Sequence, residues 1–234
     1  MSALQGVRFS IWDWIASGPG LDLHSDPEKT PATLPPNLRR RISEIGQSAF
    51  RASLALSEQR GARFVFCSRY GEMDRTLRIL HSLCSADPVS PADFSLSVHN
   101  ALAGLLSIAW RNTEGHTAIS AGEETFGYGL LEATTCLRQG SEDGVMLVYF
   151  DDVLTPPYDE FADGTEPSVA LAMLLKTPRN DGRDFMFTLQ HRDPAIPVSH
   201  AISQPLAFLK FMADEERELT WSSEQTVWRW HRGD

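Results

Sequence analysis

Cysteine is scarce in this chain: Cys67, Cys84 and Cys136 are the only three among 234 residues, and none forms a C-x-x-C pair. That argues against a zinc ribbon, a dithiol redox motif and a disulfide framework. An odd, sparse set of thiols fits a reducing compartment, so a cytoplasmic location is expected. Positive charge is also short, with 21 Lys plus Arg against 31 Asp plus Glu and a net charge of −10. A chain of that balance is a poor general binder of nucleic acid or of an anionic membrane surface. Its one short basic run is Arg39–Arg40–Arg41. No apolar run reaches the ~18 residues of a membrane helix. The start, MSALQGVRFSIWDWIASG, has no basic region leading into a long apolar stretch, so no secretory leader is expected. Internal repeats and low-complexity tracts are missing too.

What is present reads as one extended α/β domain over 1–234, with 42% hydrophobic residues to build its core. Val7 to Trp14 is partly alternating and aromatic, as in a strand. Residues 17–36, with Gly18, Pro19, Gly20, Pro27, Pro31, Pro35 and Pro36, read as a loop. Leu38, Ile42, Ile45, Ala49 and Leu56 have helical spacing, with Pro36–Asn37 as the start and Gly61 as the stop. Strands are expected at 63–67, 116–121 and 145–150, and helices at 72–83, 93–110 and 123–138. This alternation favours a mixed, mainly parallel sheet with helices on both faces. Residues 155–167 read as a polar loop. Strands over 169–176 and 184–190 are joined by PRNDGR, whose Asp-Gly suggests a hairpin. A helix over 201–218 and a strand over 227–231 complete the reading.

Three local features bear on chemistry. Asp151–Asp152 follows the apolar run VMLVYF. Acids at the carboxyl end of a parallel strand can hold Mg²⁺ beside a nucleotide, but the G-x-x-x-x-G-K-[ST] loop is absent, and a solvated strand end is the plainer reading. Ser120, His99 and His116 are the residue types of a serine hydrolase, yet Ser120 sits in A-I-S-A-G and no G-x-S-x-G elbow exists. The stretch G-Y-G-L-L-E at 127–132 begins like a dinucleotide fingerprint but ends in Glu132 and lies inside a helix. Gly127 and Gly129 there suit close helix packing.

A fourth feature is longer. The segment from Pro91 to Ala133 carries Phe94, Ser97-Val98-His99-Asn100-Ala101, Gly104, the strand Thr117 to Ala121, and Glu132-Ala133. Cys67-Ser68-Arg69-Tyr70-Gly71-Glu72 stands before it. Together these resemble the β-ketoacyl synthase family, and most closely the synthase-like chain length factors of aryl polyene pigment clusters. The resemblance spans roughly residues 1–175 and fades beyond about 177. It implies a thiolase-like α/β fold, essentially the N-terminal half.

In ketosynthases a nucleophilic cysteine stands where the strand matching 117–121 meets the helix matching 123–138. A helix N-terminus stabilises a thiolate, and its amides can hold a tetrahedral oxyanion. Counting back from Glu132-Ala133 puts that position at Glu123, with Gly122 and Glu124 as the adjoining registers. None offers a thiol, and a carboxylate cannot serve as a stable acyl carrier. Acids in a first helical turn are also favoured by the helix dipole alone, by roughly 0.3–1 kcal/mol each. Cys136 lies further along the helix and reads as packing. The family's second-half histidines find no counterpart in His191, His200 or His231.

The resemblance therefore implies a non-catalytic subunit without cofactor or metal. Its partner would be a full-length ketosynthase, with acyl carrier protein reached through that heterodimer. The edge strand, at Thr117, Ile119 and Ser120, would pair across the two-fold. Phe94, Val98, Leu102 and Leu105 would line the interface and the partner's acyl channel, where bulk limits chain extension. Two rivals stay open. One is a stand-alone enzyme using Glu123 or Glu124 as a base, or a metal at Asp151–Asp152. The other is a homodimeric binding protein.

Overall fold

The computed structural model describes residues 6–233 apart from 19–20, 27–32, 57–60, 141–143, 163–166, 181–183, 200–201 and 215. Nine strands form one sheet: β1 (Val7–Gly18), β2 (Leu21–His24), β3 (Arg63–Cys67), β4 (His116–Ile119), β5 (Val145–Asp151), β6 (Val169–Lys176), β7 (Asp184–His191), β8 (Glu218–Ser222) and β9 (Thr226–Arg232). Their order is β4-β3-β5-β6-β1-β7-β9-β8, with β2 paired to β1. The helices are α1 (Pro36–Arg39), α2 (Glu44–Ala55), α3 (Met73–Cys84), α4 (Pro91–Leu96), α5 (Ala101–Trp110), α6 (Thr125–Arg138) and α7 (Gln204–Ala213).

Strands β3, β5 and β6 are apolar except at their ends because both faces are covered. In β3, Phe64 and Phe66 point to one layer, Val65 and Cys67 to the other. The first layer is closed by Ile45, Ala49 and Phe50 of α2 and by Leu102 and Leu106 of α5. The second is closed by Phe126, Leu130 and Ala133 of α6 and by Phe208 and Phe211 of α7. Burying each such large side chain contributes about 1.5–3 kcal/mol.

The sheet is mixed, with helices on both faces, as expected, but its balance differs from expectation. Only β4–β3 and β3–β5 run parallel; the pairings from β5 outward through β8 are antiparallel. The expected hairpin of β6 with β7 does not form, because β1 lies between them and pairs with both. Asp181 and Gly182 of its supposed turn lie outside the described residues. Residues 17–36 are not loop throughout: β1 runs on to Gly18 and turns back as β2.

Two expected helices are each broken in two. Ser43 Oγ accepts from the Gly46 amide at 3.2 Å and starts α2 afresh after Arg40–Ile42. Ser90 Oγ caps the start of α4 by accepting from the Asp93 amide at 3.2 Å, and at its end Ser97 Oγ donates to the Phe94 carbonyl at 3.0 Å, where residues 97–100 separate α4 from α5. Such local side-chain bonds compete with helix continuation. The helix expected over 201–218 stops at Ala213, and β8 follows.

Candidate functional site

The three parallel strands end side by side, and the loops beyond their carboxyl ends form one surface. In sheets of this kind that is where ligands and catalytic groups collect. After β3, the turn Ser68–Gly71 is clamped by Asp151 at the end of β5. Ser68 Oγ donates to Asp151 Oδ1 at 3.0 Å, and the Tyr149 hydroxyl donates to Oδ2 at 2.5 Å. The amides of Arg69 and Tyr70 donate to the two oxygens at 2.9 Å each. Burial pushes the Asp151 carboxyl above its ordinary range, against the pull of these four donors.

Gly71 completes the turn with φ +62°, and a Cβ there would meet the His99 ring at 3.2 Å. The two sequence patches Cys67–Glu72 and Ser97–Ala101 thus touch through this pair.

After β4, Ser120 Oγ donates to the Arg69 carbonyl at 3.1 Å. The chain then turns through Ala121–Glu124 into α6. Gly122 sits at φ +59°, a conformation glycine adopts at no steric cost. Thr125 Oγ1 accepts from the Ala121 amide at 2.9 Å and donates to the Gly122 carbonyl at 2.6 Å, locking the turn. Glu123 is half-buried and faces a cleft of about 970 Å³ that it shares with Arg69, Tyr70, Asp152, Ile202 and Trp221.

Glu124 is buried and turned the other way. Its Oε1 accepts from Ser223 Oγ at 2.5 Å, and its Oε2 accepts from Thr226 Oγ1 at 2.6 Å and from Trp228 Nε1 at 3.0 Å. It therefore ties the start of α6 to the β8–β9 hairpin. Trp228 stacks on Trp230 at 5.8 Å, so the bond is held within an aromatic layer. The Gly127 amide, in the first turn of α6, donates to Gln204 Oε1 at 2.7 Å. A Cβ on Gly127 would lie 2.8 Å from the Trp228 ring, and one on Gly129 would lie 2.6 Å from Cys67 Sγ. Both glycines serve close packing, as expected.

This arrangement offers little chemistry of its own. Cys67 lies fully buried beneath α6, and burial pushes its thiol well above the ordinary value. Cys136 is buried too, and desolvation, then the Glu132 charge, raises its thiol. Cys84 is exposed at the end of α3. His116 opens β4 and Ser120 follows its end, roughly 13 Å away at ~3.3 Å per residue, so they form no catalytic pair. The oxygens of Asp151 and Glu124 are occupied by protein donors, which argues against a base or metal site there. Among the described residues no group of three His, Cys, Asp or Glu side chains is placed to hold a metal ion.

The expected interface residues separate into two sets. β4 is the outermost strand and pairs with β3 alone among the described strands. Thr117 Oγ1 donates to Glu132 at 3.3 Å, and Ile119 packs partly against the core. Phe94 is 67% exposed and Val98 50%. Leu102 is not on that face: it is 2% exposed, inside the chain's own core, because α5 turns it towards α2. Leu105 packs half-buried beside it.

Gln204 and the acceptor role of Glu124 escaped the sequence reading. Their only signal was the tryptophan pair of TVWRWHR, which marks a buried strand but not what it covers. No helix is long and apolar enough to cross a membrane among the described residues.

Comparison with known proteins follows the same outline. Residues 12–231 match the family model of the beta-ketoacyl synthase N-terminal domain. The match continues through the segment where the sequence resemblance had seemed to fade. No curated protein matches by sequence. A chain of the ketosynthase (ApeO) in complex with its chain length factor (ApeC) from Xenorhabdus doucetiae is 27% identical with a TM-score of 0.82, over 96% of this chain and 99% of that one. The ishigamide ketosynthase/chain length factor superposes with a TM-score of 0.57 at 13% identity, over 80% and 67% of the two chains. AntDE:AntF, a type II PKS acyl-carrier protein in complex with its ketosynthase, gives a TM-score of 0.52 at 14% identity, over 74% and 64%. These last two share the thiolase-like fold.

Proposed function

The chain belongs to the β-ketoacyl synthase family, and from that premise we propose that it is a non-catalytic subunit of the chain length factor kind. It forms a heterodimer with a full-length ketosynthase, stabilises it and shapes its acyl pocket. Through that complex it meets acyl carrier protein, in the cytoplasm, in aryl polyene-like biosynthesis. Residues 1–234 act as one such domain.

The carrying observation is the turn from β4 into α6. The resemblance assigns Glu123 and Glu124 to the position of the family's nucleophile, Glu124 is built into the hairpin below, and the Gly127 amide is taken by Gln204. A site whose donors are satisfied by its own chain is poorly placed to stabilise an oxyanion. The edge of β4 that no described strand pairs supports the partner half of the reading, because such an edge is a ready template for another chain. Phe94 and Val98 add exposed apolar surface for a partner to cover. Further support comes from the 27% identical relative, which was solved as a ketosynthase with its chain length factor.

Co-expression with a cognate ketosynthase tests this. A stable complex is expected, with condensation activity and product length that change when Phe94 or Val98 is altered. If the chain stays alone and the ketosynthase keeps full activity and product length without it, the reading fails.

A further inference from the structure

Helix α4 has an unusual standing in the fold. It spans six residues, buries none of them, and leaves Phe94 exposed; Val98 follows just beyond it. A helix so short is unstable by itself, and no buried side chain docks it. Charge holds it instead. Asp93 Oδ1 accepts from Arg75 Nη1 and from Arg78 Nη2, each at 3.0 Å.

The two arginines are not equivalent. The Arg78 side chain is 54% exposed, so its bond is screened by water and contributes little. The Arg75 side chain is 11% exposed. Its Nε donates to Glu72 Oε2 at 2.8 Å, and its Nη2 donates to the Arg41 carbonyl. Glu72 Oε1 in turn accepts from Ser43 Oγ at 2.7 Å, and Ser43 caps α2. One guanidinium thereby joins α3, α4 and the turn in front of α2. Only the planar fork of arginine reaches three acceptors in fixed directions. Buried ion pairs are seldom the cheapest source of stability; their better-attested use is to fix one arrangement over others.

We propose that Arg75 is the positioning residue of the partner face: it fixes α4 so that Phe94 and Val98 meet the ketosynthase, and so sets how tightly that partner binds. The inference rests on the heterodimer reading above and goes beyond it by naming what orients the contact. The Arg75 side chain is 11% exposed and bonded within its own chain, so it acts through α4.

The test is a set of dissociation constants for the purified ketosynthase, measured by titration calorimetry. Wild type is compared with Arg75→Gln, Arg75→Lys, Phe94→Ala and the Arg75→Gln/Phe94→Ala double variant. Phe94→Ala is expected to weaken binding about 10- to 100-fold, as for an apolar anchor. Arg75→Gln should lose about tenfold or more, and Arg75→Lys should recover part of it. The double variant should bind within about threefold of the worse single one, because both act on the same contact. Amide exchange should rise in α4 of Arg75→Gln while the sheet stays protected.

Wild-type affinity for Arg75→Gln, or two losses that multiply, would overturn the proposal, since Arg75 would then support only general stability. If Arg75→Gln does not fold, Asp93→Asn probes the same link while leaving Arg75 on Glu72. The same loss and the same non-additivity are expected there, and unchanged binding refutes the proposal. If wild type itself does not bind the ketosynthase, the heterodimer reading falls first and carries this inference with it.

Discussion

Replacing Glu124 by alanine removes the acceptor for three donors at once: Ser223 Oγ, Thr226 Oγ1 and Trp228 Nε1. Ser223 and Trp228 are buried, so water reaches them poorly, whereas Thr226 is half-buried and can be rehydrated. A hydrogen bond to a charged group contributes about 1.5–3 kcal/mol, and stranding a buried donor costs a similar amount. Two stranded donors and one rehydrated one put Glu124→Ala at roughly 3–6 kcal/mol. For a chain of this length each kcal/mol moves Tm by about 2–4 °C, so a drop of about 6–24 °C is expected.

Glu124→Gln keeps one oxygen for Trp228 and Thr226 and presents an amide to Ser223, whose proton turns away. Its expected cost is smaller, about 1–2 kcal/mol. Urea unfolding followed by tryptophan fluorescence measures both, because the partner is itself an indole. A Glu124→Ala cost below about 1 kcal/mol, or equal costs for Ala and Gln, would refute the assignment of Glu124 as the tie between α6 and the hairpin.

Two further outcomes follow from packing and burial. Gly129→Ala should lower stability by about 1–3 kcal/mol, since the added Cβ would sit 2.6 Å from Cys67 Sγ and 3.2 Å from Leu147 Cδ1; an unchanged urea midpoint would mean that α6 can rise off the sheet freely. In native protein a disulfide reagent should titrate Cys84 quickly, while Cys67 and Cys136 react only on unfolding, because both are buried and their thiols are held above the ordinary value; fast reaction of all three would contradict that burial.

Much of the architecture was legible because periodicity reports burial directly. The runs FVFC at 64–67 and VMLVYF at 145–150 are apolar at every position, and only a strand covered on both faces needs that. Pairing partners are a different matter. Nothing in the β6 and β7 segments says that β1 will insert between them, since strand order depends on contacts across most of the chain. Helix breaks were legible in principle. Ser43 is a good N-cap, but the apolar spacing that continues past it masked the interruption, just as the spacing past Ser97 masked the break between α4 and α5. At the site, the absence of cysteine from 122–124 could be read from sequence, whereas the use of Glu124 could not. A carboxylate at a helix start has a ready explanation in the helix dipole, and its real partners stand about a hundred residues away, at Ser223, Thr226 and Trp228.

That long-range tie determines what placing a thiol at the start of α6 would do. If the loss of one thiol were the only barrier, Glu123→Cys would regain acylation. The geometry argues otherwise. Glu123 faces the open cleft, so its substitution should fold and its thiol should react with iodoacetamide. Acyl transfer needs more, namely free amide donors aimed at the developing oxyanion, each worth about 10²–10³ in rate. The Gly127 amide is held by Gln204 at 2.7 Å, and Trp228 is packed against the same turn. Glu124 cannot yield, because it anchors the hairpin that carries Trp228. Glu123→Cys incubated with an acyl thioester, alone and with the ketosynthase whose own cysteine is blocked, should therefore show an alkylatable thiol but no acyl adduct by intact-mass spectrometry. Adding Gln204→Ala, which frees the Gly127 amide, is the step expected to permit slow acylation. Rapid acylation of Glu123→Cys alone would mean that the helix start is still an open oxyanion site and that only the thiol was lost.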